Sequence, residues 1–381
     1  MKIVILASCL GSLGNHDYRL LKGLIERNNS VFLVSFHPEN PSDDIKKING
    51  AKIYHDPPKK LVFIQRVFYF NRIKRLKELL NYLKPDVLIS INTWNNSMLG
   101  ALSGFRPHIA IPHGSDILIA PHKWLFIKYL NYIALKKADL IAADCIAVKN
   151  EICSRYNIKE KKIMIFTWGI ETDIFRPSSK TREIKDNLGW SNNQIIIMNR
   201  HFENIYGILD FIDSLPYVIN HLPDVRIFLV GDGRLKERIK QKIKDYKLSD
   251  FIYMPGKIPR TEMVSYLNNA DLYVSSSYSD GSSVSLLEAM SCGLPVVCTN
   301  VPSNLEWITP GRNGLVVERG NPIQLSDAIV SLLKRPDLRR EMSIENRDVV
   351  VKRGDWEINI KRLETACLGA IQRQRPEGHC Y

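Results

Sequence analysis

Asp280 and Glu288 are the two acidic residues of a short segment, residues 280–295, that reads DGSSVSLLEAMSCGLP. A strand-like run precedes it, and the Gly-Ser-Ser turn predicts a helix over Val284–Cys292 that Gly293 ends. The first amides of a helix after such a turn lack partners and favour an anion. Glu288 lies one turn into this helix, where it could accept hydrogen bonds from two ribose hydroxyls. Phosphate on the amides and hydroxyls on the carboxylates would describe a nucleotide sugar. On spacing alone, an ordinary strand–turn–helix with a capping Asp and a solvated Glu is the favoured interpretation.

Strand-like and helical runs alternate along both halves of the chain. This alternation is typical of parallel sheets with helices on both faces, as in Rossmann-like domains, whose ligands bind beside the carboxyl ends of the strands. The strand-like runs are Lys2–Ala7, Ser30–Ser35, Asp86–Ile91, His108–Pro112, Leu140–Ala143 and Lys162–Phe166 in the first half, and Gln194–Asn199, Val225–Gly231, Phe251–Met254, Asp271–Ser275, Pro295–Thr299 and Gly314–Val317 in the second.

Two segments of the first half follow predicted strands. Gly11 and Gly14 follow the first strand in a segment that is about equally compatible with a plain turn and with a contact to the donor phosphate or to the acceptor. No full dinucleotide fingerprint is present, which argues against NAD. His113 lies in IPHGSDI, residues 111–117, where another strand ends. A single histidine at such a place is more often structural or solvated than catalytic.

The charge of the chain favours an anionic partner. Its 381 residues include 53 Lys and Arg against 40 Asp and Glu, a formal net charge of +13. This balance suits nucleic acid, an acidic lipid surface or phosphorylated substrates. Zinc-finger spacing, basic recognition helices and RNA-binding aromatic signatures are missing, so we expect no nucleic-acid partner. The sequence has no Asp-x-Asp at a strand end and its histidines are scattered, so we also expect no metal site.

The seven cysteines include no Cys-x-x-Cys pair, which is typical of reduced thiols in the cytosol. We expect Cys9, Cys292 and Cys298 to be small buried residues. The start of the chain, MKIVILASCLGSLG, is interpreted as a first strand and its glycine turn and not as a signal peptide. No run of about 18 apolar residues occurs, so we predict no transmembrane helix.

Residues 280–295 resemble the signature of the family 4 glycosyltransferases, which are retaining enzymes with two Rossmann-like domains (the GT-B fold). The family pattern is an acidic pair separated by seven residues, then Ala-Met and a small residue followed by Gly-Leu-Pro-Val. Asp280 stands where many members have Glu. The matching residues are Asp280, Glu288, Ala289, Met290, Gly293, Leu294, Pro295 and Val296.

The resemblance implies roles for this segment and for MNRHFENIYG, residues 198–207. Asp280 would orient sugar hydroxyls, and Glu288 would hold the ribose. Arg200 matches the arginine that clamps the donor diphosphate in family members, whereas Tyr206 replaces the usual second cation, a lysine. The amides that would bind the diphosphate are those of Ser282, Ser283 and Val284.

The resemblance assigns four further contacts. Gly231, in LVGDGRL, matches a turn beneath the nucleotide. Lys257 and Ile258, in MPGKIPRTEM, match the segment that reads the base edge, and Lys257 could also replace the missing lysine. His113, in its His-Gly-Ser-Asp element, matches the histidine that reaches the transferred sugar.

The resemblance also implies an α/β architecture with two doubly wound Rossmann-like domains facing a cleft. We expect an acceptor-side domain over residues 1–168, a hinge over 169–177 and a nucleotide-sugar-binding domain over 178–355. Trp168, just before the hinge, stands where Asn is usual in the family. Residues 356–381 would form a helix that crosses back to the first domain and a loose tail.

The implied activity is retaining, metal-independent transfer of a sugar from a nucleotide-diphosphate donor, UDP favoured over GDP, without a further cofactor. The acceptor would be a hydroxyl of a lipid-linked or cell-surface glycan intermediate. Two alternatives stay open. A non-catalytic, glycosyltransferase-like binding subunit would account for Tyr206. A nucleotide-sugar 2-epimerase shares the fold but lacks the 280–295 pattern.

Residues 59–84 combine aromatic and basic side chains in a helical pattern. Such a segment can lie on an anionic membrane, and the family resemblance supports this for lipid-linked acceptors. The alternative is a core helix with a solvated basic face, which we expect for Leu76–Leu83. We therefore expect a cytoplasmic protein attached to the inner face of the membrane. The aromatic residues are Phe63, Phe68, Tyr69 and Phe70.

The role implied for His113 gives a first prediction. The His113→Ala variant should lose most sugar transfer while it still binds UDP or GDP, because the histidine is expected to face the sugar and not the nucleotide. Transfer kinetics and calorimetric titration with the nucleotide measure the two effects separately. Loss of nucleotide binding instead would assign His113 a structural role.

Overall fold

The protein is described here by a computed structural model that covers residues 1–8, 16–57, 65–178 and 183–374, with the side chains of 65–69 and of Lys123 left out. Gly14, Cys9 and Phe63 lie outside the described residues. The chain divides into two compact units. The first comprises Met1–Trp168 and Ile358–Tyr381, and the second Gly169–Glu357.

The described residues of the first unit contain one sheet of seven parallel strands in the order β3-β2-β1-β4-β5-β6-β7. Its central strands are almost wholly buried, as expected when helices cover both faces of a parallel sheet. The strands are β1 Lys2–Leu6, β2 Ser30–Ser35, β3 Lys52–His55, β4 Val87–Ile91, β5 His108–Ile111, β6 Leu140–Ala143 and β7 Ile163–Ile165; the helices are α1 His16–Glu26, α2 Asp43–Lys46, α3 Gln65–Leu83, α4 Met98–Ser103, α5 Ser115–Leu118, α6 Ala120–Lys123, α7 Leu125–Lys137 and α8 Ile146–Tyr156.

The described residues of the second unit contain one sheet of six parallel strands in the order β10-β9-β8-β11-β12-β13. The strands are β8 Gln194–Asn199, β9 Val225–Val230, β10 Ile252–Gly256, β11 Leu272–Ser275, β12 Val296–Thr299 and β13 Gly314–Val317; the helices are α9 Glu183–Asn187, α10 Ile208–His221, α11 Lys236–Asp245, α12 Arg260–Asn268, α13 Val284–Ser291, α14 Pro302–Leu305, α15 Pro322–Leu333, α16 Pro336–Arg353 and α17 Trp356–Gln374, which continues into the first unit.

The two Rossmann-like sheets agree with the predicted architecture, and each changes direction once in its strand order. In the second sheet, strand order runs outward from β8 to β9 and β10 on one side and resumes with β11 on the other. The loops after β8 and β11 therefore diverge to opposite faces, which opens the crevice where ligands of such sheets bind. The residues that follow Asn199 and Ser275 are therefore candidates for a ligand site.

Strand β3 was not predicted from the sequence. It is a four-residue edge strand in which exposed and half-buried residues alternate, so its composition lacks the apolar run that marks the other strands. In α3, Leu76, Leu80 and Leu83 are buried against the sheet, which confirms the core prediction for 76–83. Phe70 is 74% exposed, while the side chains of Phe68 and Tyr69 lie outside the described residues.

Cys292 and Cys298 are buried as predicted, and burial raises the pKa of each thiol to about 12, so neither forms a thiolate near neutral pH. Among the helices that the structure describes, none is long and apolar enough to cross a membrane.

Residues 169–177 begin the second unit and are tied to α16. Arg347 Nη1 donates hydrogen bonds to the backbone carbonyls of Thr172 and Phe175, at 3.0 and 2.8 Å. Gly169 has φ +51°, and a Cβ there would lie 2.6 Å from the carbonyl oxygen of Gly354, so glycine is required. This segment is therefore an anchored part of the second unit.

The C-terminal helix α17 is held within the first unit by a partly buried polar contact. Glu364 accepts hydrogen bonds from Arg27 Nε at 2.7 Å and Asn29 Nδ2 at 2.8 Å. Burial alone would raise the pKa of Glu364, but the bonds from Asn29 and Arg27 outweigh it and lower this pKa below its usual 4.5.

A pH-dependent stability follows from that contact. A carboxyl whose pKa is lower in the folded state stabilises the fold above its unfolded pKa, and the effect disappears as pH falls through the folded value. The Glu364→Gln variant should therefore unfold about 2–4 °C below the wild type near pH 7, and the two should converge below pH 4.5. Thermal unfolding followed by circular dichroism measures this. The exposed Glu39→Gln is the control, and an equal difference at all pH values would contradict the assignment.

Candidate active site

Arg200 lies directly after β8 in the second unit and is buried, with 8% of its surface exposed. Its Nη1 donates to Ser283 Oγ at 2.7 Å and to Ser285 Oγ at 3.3 Å. Its Nη2 donates to Ser277 Oγ at 3.2 Å and forms a short ion pair with the Asp280 carboxylate. Two residues predicted to contact different parts of a donor are thus each other's partners in the free protein.

The charge of Arg200 is held firmly by this pairing. Burial alone would lower the pKa of its guanidinium, but Asp280 and two tyrosines, Tyr273 and Tyr206, raise it, and the net shift is upward. Arg200 is therefore a permanent cation at the carboxyl edge of the sheet.

Tyr206, which replaces the lysine expected by family resemblance, stacks on this guanidinium. Its ring centroid lies 4.2 Å from Arg200 Cζ, a cation–π contact. Burial raises the pKa of Tyr206, so its hydroxyl is neutral at physiological pH. Tyr206 thus supplies no second positive charge and instead fixes the plane of the first one.

Two glycines allow the backbone to pack closely around Arg200. Gly231 has φ +148°, and a Cβ there would lie 2.0 Å from the Arg200 carbonyl oxygen. Gly207 has φ +59°, and a Cβ there would lie 2.0 Å from the carbonyl oxygen of Ser276. Ser276 Oγ in turn donates to the Gly207 carbonyl at 2.8 Å. The loops after β8, β9 and β11 are therefore held together at backbone distance.

Helix α13 begins and ends as the sequence predicts. Ser283 caps it, with its Oγ accepting a hydrogen bond from Leu286 N at 3.4 Å. Gly293 takes φ +76°, and Leu294 N donates to the Ala289 carbonyl, which closes the C-terminus. Ser282 and Val284 flank the cap, so the amides predicted to bind phosphate stand at the first turn, beside Arg200.

Glu288 is buried and pairs with Arg260, a residue that the sequence did not single out. Arg260 Nε donates to Glu288 at 3.1 Å, and Arg260 also forms an ion pair with Glu171. Burial alone would lower the pKa of Arg260, but Glu288 and Glu171 raise it overall. Arg260 begins α12 only three residues after Lys257, yet its link to Glu288 arises from the fold and has no signal in residue spacing.

The remaining donor-side candidates lie at the end of β10. Lys257 is exposed, and Ile258 is half buried against the core cluster that includes Leu286 and Leu287. No contact in the described residues links Lys257 to Arg200 or Tyr206. Its replacement of the missing lysine stays a prediction.

In the first unit, His113 follows β5 and takes part in a tight polar turn. Its backbone N–H donates to the Asp116 carboxylate at 3.0 Å, and the other Asp116 oxygen accepts from Thr93 N and Oγ1 at 2.8 and 2.9 Å. Asp116 thus fixes the backbone of the His113 element and links it to the loop after β4.

The ring of His113 belongs to an aromatic cluster with His16 and Trp168. His16 stacks on Trp168 with ring centroids 4.1 Å apart, and both rings meet His113 edge-on, at 5.5 and 6.2 Å. Burial, with His113 and Arg19, lowers the pKa of His16 far below its usual value, so it is neutral. Trp168, at the position where Asn is usual, forms part of the packing around His113.

The chemistry that this arrangement can support is anion and polyol recognition. A buried arginine and the first amides of a helix suit a phosphate, and two carboxylates held by arginines suit hydroxyl groups. Within the described residues, no group of three or more His, Cys, Asp or Glu side chains could hold a metal ion.

Two family models match this chain. One is described as Glycosyl transferases group 1 and matches residues 180–349, and the other is described as Glycosyltransferase Family 4 and matches residues 13–174.

Several individual proteins are similar to this chain over almost their whole length. An uncharacterized glycosyltransferase of Methanocaldococcus jannaschii is 24% identical over 93% of this chain and 94% of its own. The N-acetyl-alpha-D-glucosaminyl L-malate synthase of Bacillus anthracis is 22% identical over 93% of this chain and 90% of its own. The crystal structure of Anabaena HepE in complex with UDP superposes with a TM-score of 0.81 at 19% identity, over 97% of this chain and all of that one. The last comparison shows a shared fold.

The buried ion pair predicts strong thermodynamic coupling. Removing either partner leaves a buried charge without its counter-ion, so Arg200→Ala and Asp280→Ala should each lower the free energy of unfolding by about 3 kcal/mol. The double variant should lose less than the sum, with a coupling energy of about 1–3 kcal/mol. Chemical denaturation of the four proteins measures it.

The control cycle uses the exposed pair Lys240 and Glu237, for which we expect a coupling of about 0.5 kcal/mol or less. Additive effects of Arg200→Ala and Asp280→Ala would show that the pair does not contribute to the stability of the second unit.

Proposed function

Because this chain belongs to the family 4 glycosyltransferases of the GT-B fold, we propose that it transfers a sugar from a nucleotide-diphosphate donor to an acceptor hydroxyl, with retention at the anomeric carbon. The observation that carries the proposal is the pairing of both signature carboxylates with arginines beside α13, Asp280 with the buried Arg200 and Glu288 with the half-buried Arg260. These pairs support a site that binds a phosphate and sugar hydroxyls in one unit.

In this proposal, donor binding exchanges the partners of Arg200. The diphosphate takes hydrogen bonds from the Arg200 guanidinium and from the amides of Ser282, Ser283 and Val284. Asp280 is then released from its ion pair and accepts hydrogen bonds from the sugar hydroxyls. Glu288, held by Arg260, accepts from the ribose hydroxyls. Such an exchange leaves no polar group without a hydrogen-bond partner, because each group that gives up a partner gains another.

The chemical step then depends on the leaving group. The bond between the anomeric carbon and the phosphate oxygen breaks, and the acceptor oxygen bonds to that carbon from the same face. The acceptor proton passes to the departing phosphate oxygen. Arg200 and the helix amides stabilise the charge that develops on the diphosphate. No protein side chain forms a covalent bond to the sugar, and we propose that transfer needs no divalent ion and persists in a chelator.

We propose UDP-sugar as the donor in preference to GDP-sugar. Support comes from Anabaena HepE, which was crystallised with UDP. The segment that would read the base contains Lys257 and Ile258. Thermal shift with UDP and GDP separates the two, because a bound nucleotide stabilises the fold in proportion to its affinity.

The proposed acceptor is a lipid-linked or cell-surface glycan intermediate at the inner face of the membrane. Support comes from the net charge of +13 and from the basic segment 59–84, of which Lys74, Arg75 and Lys77 are exposed on α3. A relative named as a phosphatidylinositol N-acetylglucosaminyltransferase subunit of Arabidopsis thaliana acts, by that name, on a lipid. Extracts of lipid-linked intermediates serve as test acceptors.

A second candidate function is nucleotide-sugar binding without catalysis. It is favoured by Tyr206, which leaves the diphosphate with one fewer cation, and by the four oxygen acceptors that already occupy Nη1 and Nη2 of Arg200. Release of free nucleoside diphosphate from a donor, with or without an acceptor, separates catalysis from binding. Conversion of the donor to its 2-epimer would instead favour the epimerase alternative.

The two carboxylates should affect different kinetic constants. Glu288→Ala removes the ribose contact and should weaken UDP and UMP binding about tenfold or more. Asp280→Asn should lower kcat without weakening UMP binding, because within the bound donor the Asp280 carboxylate is proposed to contact only the sugar. Calorimetric titration and transfer kinetics measure both. The exposed Glu262→Ala is the matched control, and wild-type values for both site variants would refute the assignment.

A further inference from the structure

Helix α7 of the first unit, together with Trp124 just before it, has exposed apolar side chains. Trp124, Leu125, Phe126 and Tyr129 are each between 63% and 83% exposed, and Tyr132 is also exposed. Leu125, Tyr129 and Tyr132 follow one another at helical spacing and form a single stripe. A surface helix of a globular protein normally presents its polar side to solvent, so this stripe calls for a partner.

The opposite side of α7 is packed against the rest of the first unit. Asn131, Ala134 and Leu135 are buried, and Asn131 Nδ2 donates to the Asp116 carbonyl at 2.7 Å and to the Tyr156 hydroxyl at 3.2 Å. The helix is therefore fixed in rotation, and the apolar stripe cannot turn inward. Its exposure is a property of the folded unit.

The charged residues of α7 itself have one sign. Residues 123–138 contain four lysines and no acidic residue. Lys136 continues the stripe at the C-terminal end of α7, and Lys128 and Lys137 flank it; all three are exposed. An apolar stripe with Trp, Phe and Tyr, bordered only by lysines, is the composition of a helix that lies in an anionic membrane interface.

A basic cavity adjoins the same end of the helix. It has a volume of about 720 Å³, and Lys136 belongs to both the cavity and the stripe. Its one acidic residue, Asp139, forms an ion pair with Arg106 and accepts a hydrogen bond from His108 N, so its charge is already balanced. The charged residues of the lining are Lys136, Lys159, Lys161, Lys162, Arg373 and Asp139.

The cations of this cavity repel one another. Burial lowers the pKa of Lys162, and Arg106 and Lys136 lower it further although Asp139 opposes them. A phosphate group in the cavity would relieve that repulsion.

We propose that α7 is the membrane-binding surface of this protein: its apolar stripe enters the interface of an anionic bilayer, and the adjoining basic cavity receives the phosphate headgroup of an anionic lipid. The helix is about 20 Å long and lies parallel to the surface in this arrangement. This inference deepens the proposed function and rests on it, because a lipid-linked acceptor would require the protein to bind a membrane. The chain passes from His113 through α5 and α6 directly into α7.

The test is co-sedimentation of the full-length protein with vesicles of phosphatidylcholine alone or with phosphatidylglycerol added. Binding should require the anionic lipid and should fall with salt. The stripe variant Leu125→Ser/Phe126→Ser/Tyr129→Ser and the cavity variant Lys136→Ser/Lys159→Ser/Lys161→Ser should each reduce binding about tenfold or more. These side chains are exposed, so the fold, checked by circular dichroism, should persist.

Two comparisons make the assignment specific. The control Ile323→Ser/Ile344→Ser removes exposed apolar side chains from α15 and α16 of the second unit and should bind vesicles like the wild type. A variant of the earlier segment, Arg72→Ser/Lys74→Ser/Arg75→Ser, should lose less binding than the cavity variant. Fluorescence of Trp124, taken as the difference from Trp124→Phe, should shift to shorter wavelength on anionic vesicles only.

Several outcomes would overturn the proposal. They are wild-type sedimentation of the stripe variant, equal binding to neutral vesicles, or a concentration-dependent dimer that the stripe variant abolishes. Displacement of vesicles by inorganic phosphate at millimolar concentration would assign the cavity to a free anion and contradict a lipid headgroup. UDP affinity of the stripe variant should equal that of the wild type. Failure of vesicle binding with intact sugar transfer would refute this inference alone, whereas absence of any transfer would refute the proposed function alone.

Discussion

A buried guanidinium must find oxygen acceptors, and Arg200 takes all of them from one segment, residues 277–285, which is far from Arg200 in the sequence. Ser277 and Asp280 come from the loop after β11, and Ser283 and Ser285 from the start of α13. The ion pair with Asp280 then makes this loop and the helix N-terminus one polar cluster at the point where the strand order reverses. The close packing at Gly207 and Gly231, and the stacked ring of Tyr206, are arranged around this one cation.

The polar cluster around Arg200 also explains how the site accommodates Tyr206 in place of the lysine of the family pattern. A lysine in place of Tyr206 would put a second cation next to Arg200, with the repulsion relieved only by a bound anion. Tyr206 instead stabilises the cation through its ring and leaves the free protein neutral at this site, since Asp280 balances Arg200. The consequence is a buried cation that is balanced within the second unit itself.

The fold and the helix α13 could be predicted from the sequence because they depend on local pattern. Apolar runs separated by helical periods predict buried parallel strands, and the turn Gly281–Ser283 with Gly293 defines both ends of the helix. The edge strand β3 was missed because a strand that pairs on one side only needs no apolar run. Arg260 was missed because its pairing with Glu288 depends on where α12 and α13 lie in the fold, which no spacing of residues encodes.

The packing of the aromatic cluster in the first unit also could not be predicted from the sequence. Trp168 could be recognised only as a departure from a family pattern, and its significance comes from packing against His16 and His113. A neutral His16 held between Trp168 and His113 restricts the rotation of the His113 ring, and the Asp116 carboxylate restricts its backbone.

Constraint of ring and backbone together is what a residue needs if it is to meet a sugar in one orientation. At the position where the family pattern has asparagine, the Trp168 ring therefore packs against the His113 ring in place of a side-chain amide. The orientation of His113 then depends on shape where the family pattern would place a polar contact.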